Sequence, residues 1–216
     1  VIGSIVVSAK SSITLTSNNN NQVVCDGGVF NDMVYNLSEG VRGVNVSGLP
    51  NGLNILLDNP LNPSTATLTG TPNSGDTSIS IYNFTITTTA NENGCDEMSI
   101  NGQISIEPVD TLTLSSTLAT TNQLNICVGQ PLDPIIYEFG GGAKGVNFTW
   151  TGSNTLFGSG VTAIASGTNQ FRISGKPSVN VTETTTYNYQ IETVGSDCTP
   201  EIVLTGSLQI NPSDSI

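Results

Sequence analysis

The sequence predicts an all-β chain, two tandem β-sandwich repeats with the last strand of a preceding repeat ahead of them, and three observations carry that reading. No window of a dozen residues places apolar side chains at helical spacing. The chain is rich in Ser, Thr, Asn, Val and Ile and punctuated by Gly 23 and Pro 10, the composition of short strands joined by many turns. It also repeats itself, which at 216 residues gives two domains of ordinary size.

VCDGGVFNDMVYNLSEGVRGVNV (24–46) lies over ICVGQPLDPIIYEFGGGAKGVNF (126–148) at a constant offset of 102. Cys25 meets Cys127, Tyr35 meets Tyr137, Arg42 meets Lys144, and GVN recurs at 43–45 and 145–147. LTGTP (68–72) then lies over ISGKP (173–177), and YNFTITT (82–88) over YNYQIET (187–193), both at offset 105. Finally SINGQISIEP (99–108) lies over VLTGSLQINP (203–212) at offset 104. Small loop insertions between strands explain the drift.

Taken in order, VIGSIVVSA (1–9) fits the same frame, with Gly3 on Gly102 and Gly206, and reads as the closing strand of a preceding repeat. Ile2 and Val6 put apolar groups on the face that is polar in both later copies, so a partner is expected to cover it. The first repeat spans 10–109, the second 110–212, and 213–216 begins the next linker. Within each copy the strands alternate with period two, as a half-buried sheet requires. Tyr82, Phe84 and Ile86 oppose Asn83, Thr85 and Thr87; Tyr187, Tyr189 and Ile191 oppose Asn188, Gln190 and Glu192; Ile100, Ile104 and Ile106 oppose Asn101, Gln103 and Ser105. About seven short strands per copy are expected.

Five Lys and Arg against 17 Asp and Glu give a net charge of −12, which repels phosphate backbones and anionic membranes, so neither nucleic acid nor membrane insertion is expected. The absence of His removes the commonest general base and metal ligand, and the four Cys are too dispersed for a clustered zinc site. Nucleophile triads fail for want of His, and GGGAKG (140–145) lacks the spacing and following hydroxyl of a phosphate loop. The expectation is a non-enzymatic protein. No run approaches the roughly 20 apolar residues of a membrane span, and VIGSIVVSAK lacks the basic start and cleavage site of a signal peptide. The chain reads as soluble, with its address label removed or elsewhere.

Cys25 and Cys95 are 70 residues apart and Cys127 and Cys198 are 71 apart, one pair in matching places in each copy. Matched spacing favours disulfides within each repeat over the two other pairings and over four reduced thiols, and disulfides place the protein in an oxidising compartment. A closed loop of that length would restrict the unfolded chain by about 4 kcal/mol.

The order of Cys, then MVY or IIY, then GVNV, GLPNGL, LTGTP, YNFTITT, GC and GQISIEP resembles the Ig-like, PKD-like repeats of giant surface adhesins of Bacteroidota, including gliding-motility adhesins of the SprB kind. The resemblance covers nearly the whole chain, although the second copy replaces GLP (48–50) by other residues and GTP (70–72) by GKP (175–177). It implies Ig-like sandwiches serving as spacer and display modules of a filament, exported by type IX secretion to the cell surface of a Gram-negative bacterium. Its expected partners are neighbouring repeats of the same chain and a surface polysaccharide or other cell-surface ligand. It also implies a glycoprotein, since O-glycosylation in that group follows Asp then Ser or Thr. DTL (110–112) and DSI (214–216) match, making Thr111 and Ser215 candidate acceptors; the plainer reading is that these residues favour turns.

Other candidates are weaker. N-x-S/T at Asn36, Asn45, Asn83, Asn147 and Asn180 arises readily by chance in an Asn- and Thr-rich chain. Trp150 alternates with polar neighbours on the face of Val146 and Phe148 and is expected in the core rather than on a sugar-stacking surface. If Cys25 bonds to Cys95, then Asp26, Glu92, Asp96 and Glu97 gather at one pole, a weak Ca²⁺ candidate; solvated loop acids are the better reading, and no cofactor is otherwise expected. Lys10, Lys144 and Lys176 are too few, and Arg42 stands where Lys144 does, for an isopeptide cross-link in both copies. The sequence therefore points to adhesin or filament repeats. The alternatives are a fibre subunit polymerising by strand exchange through residues 1–8, and a carbohydrate-binding module, for which 6% aromatics is little.

Overall fold

The computed structural model describes residues 3, 10–17, 19–38, 40–89, 96–198 and 200–213. Apart from Gly3, the strand expected over 1–9 lies outside the described residues. The chain divides into two compact units, Val1–Pro108 and Val109–Ile216.

The first unit runs β1 (Ile13–Leu15), β2 (Asn21–Cys25), β3 (Met33–Leu37), β4 (Val44–Ser47), β5 (Asn51–Leu57), β6 (Thr65–Asn73), β7 (Ser80–Thr88) and β8 (Ser99–Glu107). Its two sheets have the strand orders β1-β3-β6-β5 and β2-β8-β7-β4. The second unit runs β9 (Thr111–Leu114), a 3-10 turn (Leu118–Thr121), β10 (Asn122–Cys127), β11 (Ile135–Gly140), β12 (Gly145–Thr151), β13 (Val161–Ala165), β14 (Gln170–Gly175), β15 (Thr185–Val194) and β16 (Val203–Asn211). Its sheets, β13-β14-β11-β9 and β10-β16-β15-β12, repeat the topology of the first.

Each unit thus has eight described strands rather than about seven. The additional strand arises because the opening segment changes sheets. β1 pairs antiparallel with β3, and the chain then crosses over and adds β2 parallel to β8. β9 and β10 do the same against β11 and β16. A polar crossing such as SNNNN (17–21) carries no apolar period, so sequence pattern merges the strands on either side.

The period-two reading holds in both copies. Phe84 and Ile86 on β7 and Ile104 and Ile106 on β8 are buried with Met33, Tyr35 and Leu68. Tyr187, Tyr189, Ile191, Leu208 and Ile210 build the second core with Ile135, Tyr137 and Ile173. Each fully buried large aliphatic or aromatic side chain contributes about 1.5–3 kcal/mol, so the two interdigitated faces dominate the stability of either sandwich. The cores differ in one respect. Phe148 and Trp150 on β12 face Phe171, Tyr187 and Tyr189, an aromatic cluster with centroid separations of 5.1–6.5 Å. Val46 and Ala66 occupy the matching places of the first unit.

The recurring glycine motifs mark close backbone approaches. Gly70 and Gly175 adopt φ of 133° and 129°, and a Cβ on either would meet the carbonyl oxygen of Gly52 or Gly160 at 2.2 or 2.1 Å. LTGTP and ISGKP are therefore the places where β6 and β14 pass a glycine, Gly52 within β5 and Gly160 just ahead of β13.

Candidate functional site

The sharpest shared local structure is the turn that follows each first cysteine. β2 ends at Cys25 beside Glu107, the last residue of β8, and β10 ends at Cys127 beside Asn211, the last residue of β16. The backbone then turns under three bonds in each copy. Asp26 N–H donates to the Glu107 carbonyl at 2.8 Å, Gly27 N–H to Pro72 at 2.9 Å, and Gly28 N–H to Cys25 at 2.8 Å. The second copy has Val128 to Asn211 at 3.2 Å, Gly129 to Pro177 at 2.7 Å, and Gln130 to Cys127 at 3.0 Å. Gly27 and Gly129, at φ of 70° and 82°, make that turn accessible. The CDGG and CVGQ stretches thus lock onto the prolines of GTP and GKP, a union of motifs that lie about 47 residues apart in sequence and that sequence spacing did not disclose.

A second clamp went unread. The Gln22 amide donates to the Asn31 carbonyl at 2.6 Å and its oxygen accepts from Asn31 N–H at 3.3 Å. Gln123, buried, donates to the Asp133 and Thr120 carbonyls and accepts from Asp133 N–H at 2.9 Å. Its signal is the NQ that precedes both cysteines, at spacings that differ by one residue. The extra residue falls in the interruption of the β10–β16 register between Gln123 and Ile126, where Asn125 sits at φ 62°.

In the second repeat the expected pairing is not formed, while that of the first involves Cys95. Cys25 and Cys198 are disulfide-bonded, whereas Cys127 is a free, exposed thiol. Cys95 lies outside the described residues. Cys198 is buried in the loop between β15 and β16, its N–H donating to Ser196 Oγ at 2.9 Å. Because Glu192 pairs with Val203 at that end of β16 and Cys127 with Asn211 at the other, the two cysteines of this repeat stand at opposite ends of a nine-residue strand. At about 3.3 Å per residue that is roughly 26 Å, against the roughly 7 Å that a disulfide tolerates between Cα atoms. Strand direction thus sends Cys127 to the end of β16 away from the loop that holds Cys198, in keeping with the free Cys127 thiol.

The same register disperses the acidic group proposed for Ca²⁺. Asp26 lies at the Glu107 end of β8, while Asp96 and Glu97 precede Ser99 at the other; Glu92 is outside the described residues. The Asp26 carboxylate accepts instead from Ser74 N–H and Gly75 N–H, each at 3.0 Å, and so fastens the loop after β6. Among the described residues no three His, Cys, Asp or Glu side chains form a metal-binding group. Trp150 is half-buried rather than enclosed, at the edge of the aromatic cluster beside the exposed Phe157. Thr111 is exposed at the start of the edge strand β9, next to buried Asp110; Ser215 lies outside the described residues. No helix among the described residues is long and apolar enough to cross a membrane.

No family model matches the chain, and no curated protein does. Solved structures do resemble it. A three-Ig segment of titin, domains I67–I69 in an E-to-A mutated variant, matches at TM-score 0.56 and 12% identity over 94% of this chain and 66% of that one. Extracellular cadherin domains 3–6 of protocadherin gamma B2 match at TM-score 0.51 and 11% identity over 94% of this chain. The chain spans about half, 48%, of the length of that cadherin segment. At such identities the likeness shows the fold: two Ig-like β-sandwiches in tandem.

Proposed function

We propose that the protein is a non-enzymatic spacer and display segment of a bacterial surface adhesin or filament, its repeats positioned outside the cytoplasm. The observation that carries this reading is the duplication of one Ig-like sandwich within the chain. Both units build the same pair of sheets, the same cysteine turn and the same glutamine clamp. A repeated scaffold of this kind supplies length and surface. The bonded cysteines support an oxidising compartment, because such bonds do not persist among cytosolic reductants.

The finer reading is a repeat of the giant Bacteroidota adhesins exported by type IX secretion, in gliding or surface attachment, with neighbouring repeats and a surface polysaccharide as partners. It rests on the motif resemblance. Thr111, exposed at the start of β9, is the described candidate for O-glycosylation; native peptides carrying no added sugar mass there would remove it.

The test is surface labelling of intact source cells with a membrane-impermeant reagent, followed by mass analysis of the reduced, denatured chain. Labelled protein of mass many times 22.4 kDa is expected. Recovery only from the cytoplasm with every cysteine reduced would overturn the reading. A chain near 22.4 kDa at the surface would favour the polymerising subunit instead.

A further inference from the structure

The fourth and fifth strands of each sandwich are joined differently in the two repeats. In the first unit three residues, 48–50, lead from β4 to β5, whereas in the second nine residues, 152–160, lead from β12 to β13. Both β12 and β13 are edge strands, so this longer loop runs from the edge of one sheet to the edge of the other. It is fastened at two points. Leu156 is fully buried in the second core, and the buried Ser159 donates through its hydroxyl to the Leu156 carbonyl, while its own carbonyl accepts from Ser178 N–H at 2.7 Å. Between these anchors Phe157 stands 64% exposed, and Gly158 at φ 71° completes the turn. A lone exposed apolar side chain needs no explanation, but Phe157 is not alone. Its ring lies 6.4 Å from the half-buried Trp150 and 6.5 Å from Phe148, at interplanar angles of 86° and 85°. Phe157 and Trp150 therefore form an apolar corner on the surface of the second unit, with the aromatic cluster behind it.

We propose that this corner binds a neutral polysaccharide, the C–H face of a sugar ring stacking on Phe157 and Trp150 while the sugar hydroxyls meet the Ser, Asn and Thr side chains of the same loop. The proposal rests on the reading of the chain as a surface display segment, and it assigns the polysaccharide partner of that reading a site and a chemical class.

Charge selects the occupant. Residues 145–171 contain no Asp, Glu, Lys or Arg, in a chain whose net charge is −12. An acidic glycan finds no cation in that stretch and is repelled by the rest of the chain. A wholly apolar ligand would leave unused the polar groups that lead up to the ring, Thr151, Ser153, Asn154 and Thr155, all of them exposed. A neutral sugar matches both features, since it carries an apolar C–H face and a rim of hydroxyls. Because Leu156 and Ser159 already hold Phe157 in place, little conformational freedom is lost on binding. The site belongs to the second repeat: the first has Val46 and Gly48 where the second has Phe148 and Trp150.

Trp150 is the sole tryptophan, so the site carries its own reporter. Titration of the full chain with three soluble neutral polymers, dextran, laminarin and galactomannan, should give a saturable change in indole emission with at least one of them, while the acidic polygalacturonate should give none. F157A should weaken that binding by about tenfold or more, and F157Y, which keeps the ring, should retain it. Both variants should keep a urea midpoint near that of the wild type, because Phe157 is exposed. No saturable change with any of the three neutral polymers, equal binding of polygalacturonate, or F157A binding as tightly as the wild type would each overturn the proposal. So would a dimer seen by sedimentation without sugar and abolished by F157A, which would make the corner a contact between copies. Failure of the titration with surface labelling intact removes the glycan site alone, whereas recovery only from the cytoplasm removes the display reading on which it rests.

Discussion

Gly102 and Gly206 occupy matching places in the eighth strands, and neighbouring atoms explain why. A Cβ on Gly206 would lie 2.3 Å from the Tyr189 ring and 2.6 Å from the Thr121 carbonyl; on Gly102 it would meet Phe84 at 2.3 Å and Asn20 at 2.5 Å. One neighbour is a packed ring and the other is backbone, so neither yields. G206A is expected to lower the stability of the second unit by about 1–3 kcal/mol, read from its urea midpoint. The same ring carries a second residue-scale prediction. Tyr137 and Tyr189 share a buried hydrogen bond of 3.0 Å between hydroxyls, and Tyr35 instead donates to Asn20 Oδ1 at 2.9 Å, because Phe84 stands where Tyr189 does. Y189F leaves a buried hydroxyl unpaired and should cost about 1–3 kcal/mol, whereas the Y137F/Y189F double variant should recover most of that loss. Burial pushes the Tyr35 phenol up to about 12. The folded state therefore holds the neutral phenol while the unfolded chain ionises near pH 10. This contribution is fully present below about pH 10 and is lost as pH rises towards 12, so a thermal-unfolding series over that window should fall less steeply for Y35F.

At the scale of elements, the parallel strand is the feature that organises each end of the sandwich. β2 and β10 are short; each buries one apolar side chain, Val24 or Ile126, pairs with the eighth strand, and is held further by the amide of Gln22 or Gln123. Gln123 serves the loop before β11 as three partners converge on one amide, so Q123A strands buried backbone groups. A loss of about 1–3 kcal/mol is expected, together with faster amide hydrogen exchange at Asp133, and Q123E should not restore it because a carboxylate cannot donate to a carbonyl. Period two on the long strands was legible in the sequence: Tyr82 to Thr87 and Tyr187 to Glu192 alternate as read. The crossing of the opening segment between sheets was not legible, because SNNNN carries no period, and so one strand per copy was undercounted. The motif GTP or GKP was visible as a repeat, but its reasons, a glycine passing a glycine and a proline carbonyl receiving the cysteine turn, are contacts between distant segments.

For the whole molecule, two separate cores imply two separable unfolding events. Trp150 is the sole tryptophan and lies in the second unit, so its fluorescence reports that unit alone. G102A should lower the stability of the first unit and leave the Trp150 transition unmoved, while G206A should shift it; equal shifts from both would mean that the repeats unfold as one. The sequence by itself determined that the chain is duplicated, that it is built of strands, which residues of the long strands face the core, and that it lacks the histidines of ordinary catalytic sites. Those properties are local or periodic, and a side-chain alternation survives whatever the strands pair with. Only the tertiary structure decided where the cysteines stand. Had β10 joined β16 antiparallel, Cys127 would lie at the Val203 end, the end from which the Cys198 loop enters the strand. Parallel pairing reverses that end, and the direction in which one strand meets another is set by packing between residues some 80 positions apart, which no local pattern records.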